Sequence, residues 1–172
     1  ASDVYKRQPG VRGGTLYTST ISNPKKWNAV TAHETSTTAY TDKMFMGLTT
    51  TNPINGAIEP ELAKSWDISE DGLTITFHLR QGLKWSDGEP FTSADVAFTI
   101  NMLKKNAPVL SWSSEVEEFV ESVETPDDYT VVIHLKKPNP RFHRIFMMQI
   151  CTGLPIVPEH IWKLSLIHIS EP

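Results

Sequence analysis

The clearest pattern in the chain is a strict alternation of apolar and polar residues between Leu73 and Arg80. The apolar positions of this run are Leu73, Ile75, Phe77 and Leu79. Because successive side chains of a strand point to opposite faces, a period of two predicts a strand with one buried face. A second alternating run, Tyr129–Lys136, predicts another strand, which we expect to lie beside the first.

Turn and cap signals surround these strands. The letters "EDG" end at Gly72 and predict a hairpin loop between the strand "KSWDIS" and the alternating run, with glycine where φ is positive. Thr92 and Asp95 have the spacing of an N-cap and its capping box, so a helix is predicted to begin there. The buried face predicted for this helix consists of Val96, Ile100 and Leu103.

Weaker patterns predict the remaining elements. Gly13–Ile21 is interpreted as a short strand, and Ala39–Leu48 as a helix that stops near Gly47. Residues 51–62 form a turn-rich connector, Trp85 belongs to a short strand, and "EFVESVE" after the polar loop is a further strand. Antiparallel hairpins with helices on one face make the predicted fold class α+β.

Composition narrows the classes of function. The 172 residues are 39% hydrophobic and 21% charged, which is typical of a globular protein. A net charge of -4 without basic patches argues against nucleic acid as a partner. The one cysteine, Cys151, excludes a disulfide framework and lies in an apolar run, so we expect a buried, inert thiol.

Motifs for catalysis and metal binding are incomplete. His33-Glu34 begins like a zinc-protease motif, but no histidine follows four residues after the first. His78 and His134 occupy the polar positions of their strands and are expected to face solvent. No nucleophile elbow or phosphate-binding loop is present, so neither a cofactor nor a metal is predicted.

The tryptophans divide into two groups. Trp66 and Trp85 lie within the hairpin pattern and are expected to pack against the core. Trp112 lies in the polar loop "LSWSS", where no periodicity predicts burial. Two interpretations stay open for Trp112, an apolar platform for a ligand and an ordinary packing residue.

The segment "EPELAKSWDISEDGLTITFHLRQGLKWSDGEPFTSADVAFTI" closely resembles the signature region of the family 5 extracellular solute-binding proteins. "GGTL", "VESVETPDDYTVVIHLKKPNPRF" and "PIVPEHIW" resemble other landmarks of that family. The chain departs from the family at Met46, where many members carry an acidic residue.

The resemblance implies a fragment of a two-lobed receptor with the periplasmic-binding-protein-like II fold. Residues 11–48 are then the first strand, loop and helix of lobe I, and residues 49–163 are an inserted antiparallel-sheet domain with helices. Residues 1–10 and 164–172 do not continue the neighbouring patterns and resemble translated adapter read-through, so we expect both to be non-native.

The function implied by the resemblance is that of a monomeric receptor, periplasmic or extracellular and membrane-anchored, which captures peptides and delivers them to an ABC permease. Oligosaccharide and then nickel-chelate receptors of the same family are the alternatives. A hydrolase and a stand-alone interaction module are the competing classes. A hydrolase would need a nucleophile and a base in one pocket.

By resemblance, two regions reach the ligand cleft. One is the loop "HETSTT", and the other is the loop that contains Trp112. The candidate ligand-binding residues are His33, Glu34, Thr35, Ser36, Thr37, Ser111 and Trp112. An ordinary polar loop that caps a helix is the alternative interpretation of "HETSTT".

Overall fold

The computed structural model describes residues 15, 17, 19, 22–25, 27–31, 35–146 and 153–165. Most of the predicted strand Gly13–Ile21 lies outside these residues, and so does Cys151. Within the described residues, no helix combines the length and the apolar character that crossing a bilayer requires.

A four-stranded antiparallel sheet forms the centre of the fold. Its strands are β3 (Ala63–Ile68), β4 (Thr74–Leu79), β5 (Val120–Asp127) and β6 (Thr130–Leu135), in the order β3-β4-β6-β5. Ile75 lies opposite Ile133, and Phe77 lies opposite Val131, so the two alternating runs are neighbours as predicted. Gly72 has φ 67° in the turn between β3 and β4, which confirms the glycine-dependent hairpin.

The inner face of the sheet is the core. The residues of β4 and β6 that are at most 3% exposed are Ile75, Phe77, Leu79, Val131, Ile133 and Leu135. Burying a side chain of this size stabilises the fold by about 1.5–3 kcal/mol before entropy is subtracted. The alternation in the sequence is therefore the alternation between the core and the outer face.

The helix α2 (Ser93–Lys105) begins where the sequence predicts it. Thr92 is the N-cap, and its backbone N–H donates to the Asp95 carboxylate at 3.0 Å. The predicted buried face is confirmed, since Val96, Ile100 and Leu103 are fully buried. The helix packs against the helix α3 (Ser113–Phe119) and the strands β5 and β6.

The predicted strand "EFVESVE" is confirmed only from Val120 onwards, and the prediction of a polar loop and a strand for residues 113–119 is wrong. These residues form the helix α3 (Ser113–Phe119), and only Val120–Asp127 is a strand. Ser113, Val116 and Val120 are buried, and their spacing of three and four residues fits a helix face. The carboxylates of "SEVEEF" therefore lie on the exposed face of a helix and not of a strand.

The position of the first helix also differs from the prediction. The helix α1 spans Thr35–Met44, so it starts earlier and ends before Gly47. Thr37 and Thr41 are its buried residues, whereas Ala39 and Met44 are exposed. Buried threonines occupy the face on which a helix usually carries apolar residues, so hydrophobic periodicity does not reveal this face. Threonine can be buried here because its hydroxyl forms hydrogen bonds within the structure. Thr41 Oγ1, for example, donates to the Thr37 carbonyl at 3.5 Å.

The structure also differs from the predictions for the connector after α1 and for the strand at Trp85. Residues 49–60 form a hairpin of β1 (Thr49–Thr51) and β2 (Ile58–Pro60), which was interpreted as turns only. Around Trp85 the chain makes a single bridge, between Lys84 and Pro90, because a tight turn at Gly88 reverses it.

The last described elements close the core from one side. They are a 3₁₀ helix (Phe142–Phe146) and the helix α4 (Glu159–Ser165). The Phe146 ring contacts Phe77 edge-on, with 5.4 Å between ring centroids. His143 stacks on Trp66 at 5.6 Å, so Trp66 is a packing residue as predicted.

The strand β5 is an outer strand of the sheet. Its register with β6 shifts twice, between Val120 and Ser122 and between Glu124 and Asp127. Glu121, Glu124 and Asp127 are exposed along it, and Pro126 has no N–H to donate.

Candidate functional site

A backbone hydrogen bond joins the loop of Trp112 to the segment that precedes "HETSTT" in the sequence. The N–H of Ser111 donates to the carbonyl of Val30 at 2.9 Å. Val30 is 1% exposed and lies in the segment that leads towards α1. The loop of Trp112 is therefore fixed against the approach to α1, although Ser111 follows Val30 by 81 positions in the sequence.

The segment before α1 is held by a local turn. The side-chain oxygen of Asn28 accepts the N–H of Val30 at 3.1 Å and that of Thr31 at 3.2 Å. An Asx turn of this kind is held by hydrogen bonds between neighbouring residues and does not depend on contacts with another helix or strand. It presents the Val30 carbonyl to Ser111, so the two segments meet with defined geometry.

The candidate residues of α1 have different environments. Thr35 is exposed, Ser36 is half-buried, and Thr37 is fully buried. Thr37 Oγ1 accepts the backbone N–H of Lys25 at 3.1 Å, which assigns it to the scaffold. His33 and Glu34 lie outside the described residues. Among the described candidate residues, Thr35 and Ser36 are the ones at least partly exposed in the first turn of α1.

Trp112 has an unusual backbone conformation. Its φ of 66° and ψ of -3° are left-handed, and it is the non-glycine residue with positive φ in the part of the chain that the structure describes. This conformation costs an L-residue about 1–2 kcal/mol. Residues held in such regions often serve a functional site, where the surrounding contacts maintain them.

Contacts on both sides of Trp112 maintain that conformation. Ser113 Oγ donates to the Leu110 carbonyl at 2.5 Å, and the N–H of Val116 donates to the Trp112 carbonyl at 3.0 Å. The indole is half-buried and packs against the core. Its orientation is thus set by the fold, and part of the ring remains accessible.

The Trp112 loop has groups that can bind a ligand non-covalently. It offers an aromatic ring, hydroxyl groups and backbone groups, which stack and form hydrogen bonds. Across the described ranges, no set of three or more histidine, cysteine or acidic residues is placed to hold a metal.

Perturbed pKa values lie elsewhere in the fold. Burial raises the pKa of Glu61, whose carboxylate accepts the N–H of Gly47 at 3.2 Å. Burial lowers the pKa of His143. A hydrogen bond from His160 lowers the pKa of Asp87, and these two side chains are 2.6 Å apart. These groups stabilise connections between elements, and none of them lies in the Trp112 loop.

Two hollows in the described part of the chain were not predicted from sequence patterns. The first is a groove of about 400 Å³, here called the α1-end groove. It is lined by Met44, Met46, Glu61, Leu62, Arg80, Leu83, Lys84, Trp85, Ser86 and Phe91. The second has a volume of about 240 Å³ and is lined by Trp27, Asn28, Ile161 and Trp162.

Sequence and structure comparisons describe what this chain resembles. Residues 57–162 match the model of the family described as bacterial extracellular solute-binding proteins, family 5 Middle. A putative ABC transporter peptide-binding protein of Brucella ovis is 43% identical over 100 residues, covering 58% of this chain and 18% of the relative. The periplasmic alpha-galactoside-binding protein of Rhizobium meliloti is 36% identical over 164 residues, covering 90% and 23%.

A solved structure has the same fold. The structure of Haemophilus influenzae OppA in complex with the peptide RPPGFSPFR matches with a TM-score of 0.72 and 26% identity. The match covers 83% of this chain and 30% of that protein. The predicted class, an α+β fragment of a periplasmic-binding-protein fold, is therefore confirmed. The chain spans about a fifth of the length of the curated relatives it matches.

Proposed function

This chain belongs to the bacterial extracellular solute-binding proteins of family 5, and we propose from this membership that it is part of a peptide receptor of an ABC importer. The receptor captures peptides outside the cytoplasmic membrane and delivers them to the permease. It acts as a monomer that is either periplasmic or extracellular and membrane-anchored. The observation that carries the proposal is the family match over residues 57–162, together with relatives named for peptide binding.

The surface around Trp112 supplies the contacts of this lobe with the ligand. The indole packs against an apolar part of the peptide, and Ser111, Thr35 and Ser36 offer hydrogen bonds. His33 and Glu34 remain members of the proposed set. Thr37 contributes by fixing the start of α1, because its hydroxyl already accepts the N–H of Lys25. The strained Trp112 supports this assignment, since the fold maintains its position at a cost in free energy.

The mechanism is capture followed by closure. A ligand that contacts two lobes favours the closed receptor, because it binds that state more tightly than the open one. The closed receptor then docks on the permease, and the associated ATPase supplies the energy of transport. No covalent bond changes in this chain.

Oligosaccharide binding is the second candidate function. It is favoured by the alpha-galactoside-binding relative, which covers 90% of the chain at 36% identity. An indole suits the apolar face of a sugar ring as well as an apolar peptide side chain. The same residues would serve either ligand.

Thermal unfolding of the complete receptor distinguishes these ligands. A ligand that binds only the folded state raises the melting temperature in proportion to the logarithm of its concentration. We expect a mixture of short peptides to raise it and raffinose, an alpha-galactoside, to leave it unchanged. The reverse result would replace the peptide proposal by the oligosaccharide one. Peptide cleavage detected by mass spectrometry in the same samples would reject a pure receptor.

A further inference from the structure

The α1-end groove combines an apolar wall with the volume of a small-molecule site. Its apolar lining consists of Met44, Met46, Leu62, Leu83, Trp85 and Phe91. Leu62 and Phe91 are buried, whereas Met44 and Met46 stay exposed at the opening. Small-molecule sites are typically concave, largely apolar and of a few hundred Å³, and the volume here is about 400 Å³. The groove therefore has the size and the lining to hold the apolar part of a small molecule.

Two cations lie at the same groove. Arg80 and Lys84 are exposed and belong to its lining. Within the described residues, neither side chain takes part in an ion pair. Two positive charges beside an apolar wall complement a molecule that has an anionic group next to an apolar part.

The acidic residue of the lining, Glu61, is directed to another partner. Its Oε2 accepts the backbone N–H of Gly47 at 3.2 Å. In the part of the chain that the structure describes, its carboxylate is not within ion-pair distance of Arg80 or Lys84. The two cations therefore remain available to an anion that enters the groove.

The guanidinium of Arg80 is oriented before any ligand arrives. Its Nε donates to the backbone carbonyl of Glu61 at 2.7 Å, and its own backbone N–H donates to the carbonyl of Leu62 at 3.0 Å. Among the described residues, its two terminal nitrogens have no hydrogen-bond partner. These two nitrogens can donate in parallel to the two oxygens of a carboxylate. A donor that is already fixed loses little conformational freedom on binding.

The backbone beside Lys84 is fixed as well. The N–H of Phe91 donates to the carbonyl of Leu83 at 3.0 Å, and Lys84 forms a bridge with Pro90. This pairing places the charge of Lys84 next to the rings of Trp85 and Phe91, which contact each other edge-on at 5.7 Å. The charged and the apolar parts of the groove are thus held at a constant distance.

We propose that the α1-end groove binds a small amphipathic carboxylate. Its carboxylate group lies on Arg80 and Lys84, and its alkyl or aryl part lies against Trp85 and Phe91. The exposed Met44 and Met46 cover the apolar part, because flexible thioether side chains adapt to tails of different shape.

This site is separate from the surface proposed for the transported ligand. The lining of the α1-end groove contains none of the candidate residues in the Trp112 loop or in "HETSTT". A receptor that binds no peptide can still bind the carboxylate, and a peptide receptor can lack this second site. The two proposals therefore fail in different experiments.

Calorimetric titration of the complete receptor with decanoate tests the proposal. Acetate has the charge without the apolar tail, and decyltrimethylammonium has the tail with the opposite charge. We expect decanoate to bind at one saturable site and the other two compounds to bind at least tenfold more weakly. Absence of decanoate binding would overturn the proposal. Equal affinities for decanoate and decyltrimethylammonium would overturn it too, since the cations would then have no role.

Substitutions locate the site. Arg80→Gln and Lys84→Gln are each expected to weaken decanoate binding by about tenfold, which is a typical effect of losing a charged partner. Lys84→Gln keeps the test valid if Arg80→Gln disturbs folding, because the Lys84 side chain has no hydrogen-bond partner within the described residues. Lys105→Gln is the matched control, since Lys105 is exposed at the end of α2 and outside the groove.

Unchanged decanoate affinity in both groove variants would overturn the proposal. A loss of affinity in Lys105→Gln equal to that in the groove variants would also contradict it, because general charge attraction would then explain the binding. If Trp112→Ala abolishes decanoate binding and the groove variants retain it, decanoate occupies the Trp112 surface and the groove is not its site.

Discussion

The carboxylate of Asp95 accepts the backbone N–H of Glu159 at 2.9 Å, across 64 positions of sequence. The other carboxylate oxygen accepts the indole N–H of Trp85 at 3.2 Å and the N–H of Thr92 at 3.0 Å. Asp95 is only 5% exposed. One buried side chain thus holds together the start of α2, the start of α4 and the turn at Trp85.

Asp95→Asn is expected to destabilise the protein by about 1–3 kcal/mol, because an amide has one acceptor oxygen and turns N–H groups towards N–H groups. Urea unfolding followed by circular dichroism measures the change. Glu70→Gln is the matched control, since Glu70 is exposed in the turn before Gly72. Equal stabilities of the two variants would show that Asp95 does not have this connecting role.

The sequence predicted the parts of the fold whose signals are local. Gly72 is required by its turn, and the alternation from Ile75 onwards reflects one buried face. Thr92 and Asp95 were identified as a cap because both partners lie within one helical turn. The long-range contact between Asp95 and Glu159 leaves no local trace, so it was missed.

In both misassigned segments, the apolar residues do not mark the buried face of one element clearly. In 113–124, Val116 and Val120 have the spacing of a helix face, but the helix passes directly into the strand at Val120 without a turn signal in the sequence. In α1, buried threonines conceal the inner face. For the candidate site, the residue types pointed to the Trp112 loop, but the bond from Ser111 to Val30 depends on the tertiary fold.

His143 is expected to make stability depend on pH. Burial lowers its pKa below the ordinary value of 6.5, so the unfolded chain binds a proton first as the pH falls through that value. The free energy of unfolding therefore decreases as the pH falls from about 7 to 5.5. His143→Phe keeps an aromatic ring on Trp66 and should flatten this slope in urea unfolding.

His78→Gln serves as the comparison for that experiment. His78 is partly exposed and pairs with Asp67 at 2.9 Å, so it lies in a different environment from His143. The decrease of stability between the two pH values should persist in this variant. If it disappears in His78→Gln and remains in His143→Phe, the assignment to His143 is incorrect.

Gly72→Ala is expected to cost about 1 kcal/mol, because an alanine at φ 67° has the strained left-handed conformation. The nearest atom to an added Cβ is Pro138 Cβ at 3.6 Å, so the cost comes from the backbone and not from a clash. Gly72→Asn should recover part of the loss, since asparagine tolerates this region better. Thermal unfolding compares the two variants. An alanine variant as stable as the wild type would contradict this account.

Trp112→Ala is expected to weaken ligand binding by the complete receptor about tenfold or more, because the apolar surface of the indole is lost. Isothermal titration calorimetry measures the dissociation constant. Trp112→Phe should retain most of the affinity. Val109→Ala, at a 68% exposed position in the same loop, is the control. Unchanged affinity of the alanine variant would leave Trp112 with a packing role alone.

The outer strand β5 limits how molecules of this protein can associate. Strand-by-strand growth requires a straight edge with regular donors, and the two register shifts and Pro126 interrupt that edge. The carboxylates of Glu121 and Glu124 would also face like charges on an incoming copy. Even at high protein concentration, the β5 side of the sheet therefore disfavours fibril-like assembly.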